Sequence, residues 1–236
     1  MEQFKRTGFF GSIPPVTKNL IIINFLCWLA SLVLPRVNIN MVDWFGLHFP
    51  GTSEFRFHQF FTYMFMHDTR SIEHVFFNMF AVYMFGRSLE QVWGAKRFLL
   101  FYLVTGVGAA ITQELTWLWL VHSLASANQI TIVEQLAFDP NVHYLVTVGA
   151  SGAVFGILLA FGMLFPNVPL FIMFVPIPVK AKYFVAGYGL IELFLGIAGF
   201  SGDNVAHFAH LGGMIFGFFM IIYWKKKDRE DGRYFY

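Results

Sequence analysis

Long runs of apolar residues dominate the chain, and short polar segments separate them. A run of about 20 apolar residues predicts a membrane-spanning helix, because backbone groups in hydrocarbon must form their hydrogen bonds within the segment itself. Six runs of this kind cover residues 19–34, 72–92, 98–120, 148–165, 180–200 and 204–224. We therefore predict an all-α membrane protein in which six transmembrane helices form one compact bundle.

The polar segments divide the chain into an amino-terminal tail at 1–18, a membrane domain at 19–224 and a basic tail at 225–236. The connection at 35–71 is long and rich in Phe, and it contains Trp44, which predicts an outer interfacial loop between helices 1 and 2. The connection at 121–147 is more polar. The first apolar run ends without a small-residue cleavage pattern, so we interpret it as a retained helix.

The basic residues lie mostly on one side of the predicted spans. If the amino terminus is cytoplasmic, 13 of the 16 Lys and Arg residues fall on the inner side, and only Arg36, Arg56 and Arg70 fall outside. Inner loops of membrane proteins carry such an excess of positive charge. The pattern predicts a multi-pass protein of the plasma or inner membrane with both termini cytoplasmic.

The composition agrees with a surface that faces lipid. Hydrophobic residues make up 57% of the chain and charged residues 13%, whereas a soluble domain carries about 25% charged residues. The net charge is +2, and the basic residues lie at segment ends and not in one patch, so we expect no nucleic acid partner. A single cysteine, Cys27, excludes an internal disulfide.

The fourth run is unusually short for a membrane helix. A helix from Ser151 to the residue before Pro166 rises about 22 Å, whereas the hydrocarbon is about 30 Å thick. One end should then lie below the membrane surface, where irregular backbone is tolerated around a water-filled cavity. Gly149 and Gly152 flank Ser151, and free amides at a helix start can stabilise a negative oxygen. Alternatively, these small residues only pack helices together.

The sixth run contains His207 and His210, and ionisable residues within a span are candidates for function. The stripes Gly152–Gly156 and Gly213–Gly217 predict a close approach of two helices that brings His210 toward Ser151. A histidine beside a serine can take its proton and make it a nucleophile. The centre of the second stripe lies about 40° from His210 but about 100° from His207 around the helix. We therefore assign the general base to His210.

The second run contains His74 and Asn78 at i and i+4, on one face of the helix. Both side chains offer nitrogen donors, which a developing oxyanion requires. An interhelical hydrogen bond that stabilises the bundle is the alternative interpretation of this pair.

Taken together, these motifs resemble those of the rhomboid intramembrane serine proteases of the bacterial six-helix type. The matching segments are His74–Asn78, Gly149–Gly152 and Ala209–Gly213, in this order within a six-span frame. The resemblance implies a rhomboid-like bundle with Ser151 as nucleophile and His210 as general base. It also implies an oxyanion site formed by His74, Asn78 and the Ser151 amide.

Some positions depart from the family pattern. His58 and Gln59 stand where many rhomboids have Trp-Arg in the first outer loop, and Phe155 stands where a tyrosine is frequent. A phenylalanine can still stack on the ring of the catalytic histidine. The sequence shows no acidic third member, so we predict a Ser-His dyad. For Glu192 and Glu114 we expect internal hydrogen bonds.

The predicted function is hydrolysis of peptide bonds in or beside the transmembrane segments of other membrane proteins, with no cofactor and no metal. A six-helix proton-coupled transporter is one alternative, but it would have paired repeats, which we do not find. A haem or metal protein that uses His74, His207 and His210 is another. For that class, no carboxylate or cysteine stands where it would complete the site.

Overall fold

The computed structural model describes residues 12–138, 145–171, 177–198 and 206–232, and most of them are helical. The helices and strands, in chain order, are α1 (Pro15–Val33), α2 (Met41–Phe45), β1 (Leu47–His48), α3 (Gln59–Thr62), α4 (Ile72–Ala81), α5 (Arg87–Ala127), α6 (Ile132–Phe138), β2 (Val146–Thr147), α7 (Ser151–Leu164), β3 (Pro169–Leu170), β4 (Val179–Lys180), α8 (Ala181–Ala198) and α9 (His207–Glu230). Short 3₁₀ turns lie at Leu34–Val37 and Tyr63–Phe65, and a π-helical turn at Val82–Gly86 joins α4 to α5.

Among the described residues, four helical runs are long and apolar enough to cross a membrane: Pro15–Val37, Ile72–Ala127, Ala181–Ala198 and His207–Glu230. The run Ile72–Ala127 has 56 residues and contains two of the six predicted stretches. Gly94 interrupts it with a φ of 76°, a conformation that glycine adopts at little cost. The helix α7 is apolar but shorter. The count of six spans stays a prediction, and so does the orientation of the termini.

The helix ends differ from the predicted ones where a helix extends past its apolar run. Helix α1 begins at Pro15, α5 continues to Ala127 and α9 continues to Glu230. Hydropathy marks the part of a helix that lies in hydrocarbon, whereas residues such as Lys and Glu continue a helix readily in water. Of the predicted tails, residues 1–11 and 233–236 lie outside the described part of the chain.

Helices α5, α7 and α9 pack against one another and form the centre of the bundle. Glycines allow this packing, because a Cβ on Gly213 would overlap the carbonyl oxygen of Gly152. A Cβ on Gly217 would lie 3.5 Å from the Cα of Gly156. The close approach predicted for the two glycine stripes is present in the structure, and it carries the start of α9 next to the start of α7.

The carboxylate of Glu90, on α5, caps the start of α1. It accepts hydrogen bonds from the amides of Val16 and Thr17 at 2.9 and 2.7 Å and from the Thr17 hydroxyl at 2.7 Å. The first amides of a helix have no partner within the helix. Glu90 therefore satisfies these groups and attaches α1 to α5.

The loop between α1 and α4 is held by His58 and Gln59. Nε2 of His58 donates to the carbonyl oxygen of Trp44 at 2.8 Å. The buried Gln59 side chain accepts from the Arg56 amide at 3.0 Å and donates to the Glu54 carbonyl at 2.9 Å. These two residues, which depart from the pattern named in the sequence analysis, thus anchor the loop.

Candidate active site

Ser151 is the first residue of α7, and the segment before it is fixed by the first loop. Strand β2 pairs antiparallel with β1, with Thr147 opposite Leu47. The Gly149 amide then donates to the Tyr63 carbonyl at 3.0 Å. The serine therefore follows a tethered segment of backbone at the start of a mostly buried helix. The depth of this helix end below the membrane surface stays a prediction.

Gly149 combines an unusual backbone conformation with a close neighbour. Its φ is 131°, a value that residues with a side chain rarely adopt. A Cβ at this position would lie 2.8 Å from Nε2 of His74 and 3.7 Å from the Ser151 hydroxyl. Only glycine leaves room for His74 beside the serine.

His210 lies on the first turn of α9 and reaches the serine directly. Its Nε2 is 2.8 Å from the Ser151 Oγ, and the residue is buried. Its ring stacks on Phe155, one turn after Ser151 on α7. The structure thus brings together the serine, the histidine and the aromatic ring that the sequence singled out.

Glu192, on α8, lies on the far side of the His210 ring. Its Oε2 is 2.8 Å from Nδ1 of His210 and 2.7 Å from Nδ1 of His207, and all three residues are buried. The expectation that His210 has no acidic neighbour is therefore wrong. The expected internal hydrogen bonding of Glu192 is confirmed.

Glu192, His207 and His210 also have the chemistry of metal ligands. Their ligand atoms lie within 4.8 Å of one another, and imidazole and carboxylate groups both bind zinc. The sequence-based argument that no carboxylate stands near these histidines is wrong. His74 is not part of this cluster.

His74, on the first turn of α4, has its Nε2 next to Gly149, two residues before Ser151. Its Nδ1 accepts a hydrogen bond from the Asp68 amide at 3.2 Å, so the neutral ring carries its proton on Nε2. The His67 ring packs edge-on against His74, with ring centroids 5.1 Å apart. Burial, assisted by His74, lowers the pKa of His67 to about 3.

Asn78 follows His74 by one turn and is placed differently. Its Nδ2 donates to the His74 carbonyl at 2.8 Å, so one amide hydrogen is bonded within its own helix. Asn78 is buried and is not among the residues that line the cavity at Ser151.

A cavity of about 660 Å³ opens at the serine. Ser151, His74 and His210 contribute to its wall, and Asp68 and Arg70 lie in the loop at its edge. Arg70 pairs with Asp68 at 2.7 Å and, by this bond, holds the pKa of the Asp68 carboxyl below its usual range. The cavity gives the hydroxyl access to a reactant from one side of the bundle.

Glu114 is another buried acidic residue, on α5, and it does not line the cavity at Ser151. In the part of the chain that the structure describes, both of its carboxylate oxygens are buried without a hydrogen-bond partner. The internal hydrogen bond expected for Glu114 is therefore not found among these residues.

The sequence missed the contact between Glu192 and His210. The available signal was that Glu192 is the only acidic residue within the apolar helix Ala181–Ala198. Spacing along the chain does not show which neighbouring helix this carboxylate faces, because the two residues are 18 positions apart on different helices.

The fold and this arrangement agree with the comparison with known proteins. The Rhomboid domain family model matches residues 54–227. The chain therefore belongs to the rhomboid family and is an integral membrane protein.

Among curated relatives, the chain is 29% identical over 153 residues to Rhomboid protease GluP of Bacillus subtilis, a match that covers 63% of this chain and 22% of that protein. It is 29% identical over 155 residues to Rhomboid protease AarA of Providencia stuartii, covering 61% of this chain and 48% of that protein. Rhomboid protein 1, mitochondrial, of Saccharomyces cerevisiae is 31% identical over 144 residues, covering 61% of this chain and 36% of that protein. The chain spans less than half the length of these relatives.

Proposed function

We propose that this protein is an intramembrane serine endopeptidase in which Ser151 is the nucleophile and His210 the general base. The observation that carries the proposal is the 2.8 Å distance between the Ser151 Oγ and Nε2 of His210 at the wall of a cavity. Membership of the rhomboid family and the names of the related rhomboid proteases support it.

The reaction follows from the geometry of this pair. His210 accepts the hydroxyl proton as the Ser151 oxygen attacks the carbonyl carbon of the substrate. The protonated His210 then gives its proton to the leaving amine, and the new amino terminus departs from the acyl-enzyme. Water from the cavity, activated by His210, hydrolyses the ester and restores the serine.

The oxyanion of the tetrahedral intermediate requires donors near Ser151. Nε2 of His74 carries a proton and faces Gly149, beside the serine. The Ser151 amide lies at the start of α7, where amides have no partner within the helix. We assign the oxyanion site to these two donors together with Asn78, whose second amide hydrogen is not used by the bond to His74.

The substrates are transmembrane segments of other membrane proteins that can unwind near the cavity. A peptide bond in an intact helix is shielded by the hydrogen bonds of that helix, so helix-breaking Gly or Pro residues near the cut should favour cleavage. From the excess of basic residues on one side we also propose that both termini lie in the cytoplasm and that the cavity faces the outer side of the plasma or inner membrane.

A fluorophosphonate probe tests the nucleophile. The purified protein should be labelled on Ser151 and should cleave a transmembrane reporter, and Ser151→Ala should lose both properties while it remains folded. Ser31→Ala is the matched control, because Ser31 is a buried serine on α1 whose hydroxyl donates to the Cys27 carbonyl and to the Met41 sulfur in the described part of the chain. Undiminished cleavage by Ser151→Ala would refute the proposed function.

A further inference from the structure

The ring of His210 is held at both nitrogens, by Ser151 on one side and by Glu192 on the other. The distances are 2.8 Å from Nε2 to the Ser151 Oγ and 2.8 Å from Nδ1 to the Glu192 Oε2. The three groups come from three different helices, α7, α9 and α8. Ser151, His210 and Glu192 thus form a continuous chain of hydrogen bonds that joins the three helices.

The hydrogen bond from Nδ1 of His210 to Glu192 selects the tautomer of His210 that a general base requires. An ionised carboxylate only accepts hydrogen bonds, so the proton of the neutral ring lies on Nδ1. Nε2 is then left with its lone pair directed at the serine hydroxyl. The opposite tautomer would place a proton between Nε2 and Ser151, and the hydroxyl would have no base.

The carboxylate also favours the charged form of His210 during the reaction. Glu192 is buried within an apolar helix, where an isolated charge is costly. When both histidines are neutral, the group of three carries one negative charge. When His210 takes the serine proton, this group becomes neutral overall, so Glu192 stabilises the imidazolium at the step where it forms.

We propose that Glu192 is a positioning residue that fixes the tautomer and orientation of His210 and stabilises its protonated form. This inference rests on the proposed serine-protease function. It adds Glu192 to the predicted pair of Ser151 and His210. His207 holds the carboxylate in place, because its Nδ1 bonds to the same Oε2 at 2.7 Å.

A metal site at the same residues is the competing interpretation. Glu192, His207 and His210 would hold a zinc ion through the same imidazole and carboxylate groups on which the positioning role depends. Treatment with a chelator distinguishes the metal site from the positioning role. Wild-type activity that survives a chelator supports the positioning role, whereas loss of activity that Zn²⁺ restores would overturn it.

Glu192→Gln is the informative variant, because glutamine has nearly the same shape and keeps an oxygen acceptor but has no charge. We expect kcat to fall about 10- to 100-fold with KM unchanged. This is less than the full effect of general acid–base catalysis, which is about 10²- to 10⁴-fold, because His210 itself remains. The rate of fluorophosphonate labelling at Ser151 should fall with kcat, since the probe reports formation of the covalent bond without substrate docking. Glu192→Asp, which keeps the charge, should retain more activity than Glu192→Gln.

Glu114→Gln is the matched control, because it makes the same change at another buried carboxylate of a membrane helix. It should leave kcat and the labelling rate unchanged. If the wild type neither labels nor cleaves, the proposed function itself fails. If the wild type is active and Glu192→Gln, shown to be folded by its thermal unfolding, keeps wild-type kcat and labelling, the positioning role alone is refuted.

Discussion

The ring of Phe155 lies flat against the imidazole of His210, with centroids 4.2 Å apart and planes 9° apart. This stack restricts rotation of the imidazole, while Ser151 and Glu192 bond to its two nitrogens. The contact requires only an aromatic face, and Phe155 provides it without the hydroxyl of the tyrosine that is frequent at this position in the family. The orientation of His210 is therefore set by packing as well as by hydrogen bonds.

His210→Ala should eliminate cleavage of a transmembrane reporter, and His207→Ala should leave substantial activity. Among the described contacts, His210 bonds to both Ser151 and Glu192, whereas His207 bonds to Glu192. Loss of His207 removes one of the hydrogen bonds that hold the carboxylate, which we expect to lower thermal stability more than turnover. The measurement is reporter cleavage by both variants after each has been shown to be folded and inserted. The reverse order of activities would overturn the assignment of the base.

His74→Ala should lower kcat more than it raises KM, because an oxyanion donor acts mainly in the transition state. One such donor contributes about 2.7 to 4 kcal/mol in favourable cases, and we expect less here because the Ser151 amide and cavity water can substitute in part. Asn78→Ala should act in the same direction with a smaller effect, since one of its amide hydrogens bonds to the His74 carbonyl. Steady-state kinetics test both variants, and a change confined to KM would indicate a role in docking instead.

Gly213→Ala should destabilise the protein and abolish activity. A Cβ at this position would overlap the carbonyl oxygen of Gly152, so α9 would have to move away from α7 and separate His210 from Ser151. Gly187→Ala is the control within a membrane helix, because among the described residues no atom beyond its own stretch of helix lies within 4 Å of the Cβ it would add. Thermal unfolding and probe labelling should distinguish the two variants. Wild-type labelling of Gly213→Ala would contradict the close packing of the two helices.

Acid should destabilise the fold partly through His67. Its pKa is lowered from 6.5 to about 3 by burial and by His74. Between these values the unfolded chain binds a proton that the folded protein does not, so the free energy of unfolding falls as the pH is lowered, by up to about 1.4 kcal/mol per pH unit. His67→Gln should therefore show a flatter dependence of thermal stability on pH below 6.5 than the wild type. An unchanged slope would show that His67 is not buried in its neutral form. His122→Gln, at an exposed position, serves as the control.

The sequence predicted the parts of the site that stand out against apolar surroundings. Ser151 between glycines and His210 within an apolar run are rare enough to be noticed, and the glycine stripes indicated which helices approach one another. The limits of α7 were predictable because Pro166 follows its end. The break at Gly94 lies between the predicted runs 72–92 and 98–120, so the apolar pattern had already separated these two spans. The π-helical turn at Val82–Gly86 lies inside the first of these runs and was not predicted.

The contact of Glu192 with His210 could not be predicted, because it depends on the rotation of α8 about its own axis. A single carboxylate in an apolar helix shows that a partner is needed but does not identify it. The hydrogen bonds of Gln59 could not be predicted from the sequence either, because a loop residue belongs to no periodic pattern. Three-dimensional packing determines both.

The cap that Glu90 places on α1 imposes an order on the biosynthesis of this protein. The amide of Thr17 precedes its carboxylate partner by 73 residues. When α1 leaves the ribosome, its first turn still lacks the group that will satisfy it, and synthesis must pass Glu90 before the cap can form. Until then the amides of Val16 and Thr17 lack this partner, and the attachment of α1 to α5 forms only after the start of α5 has been made.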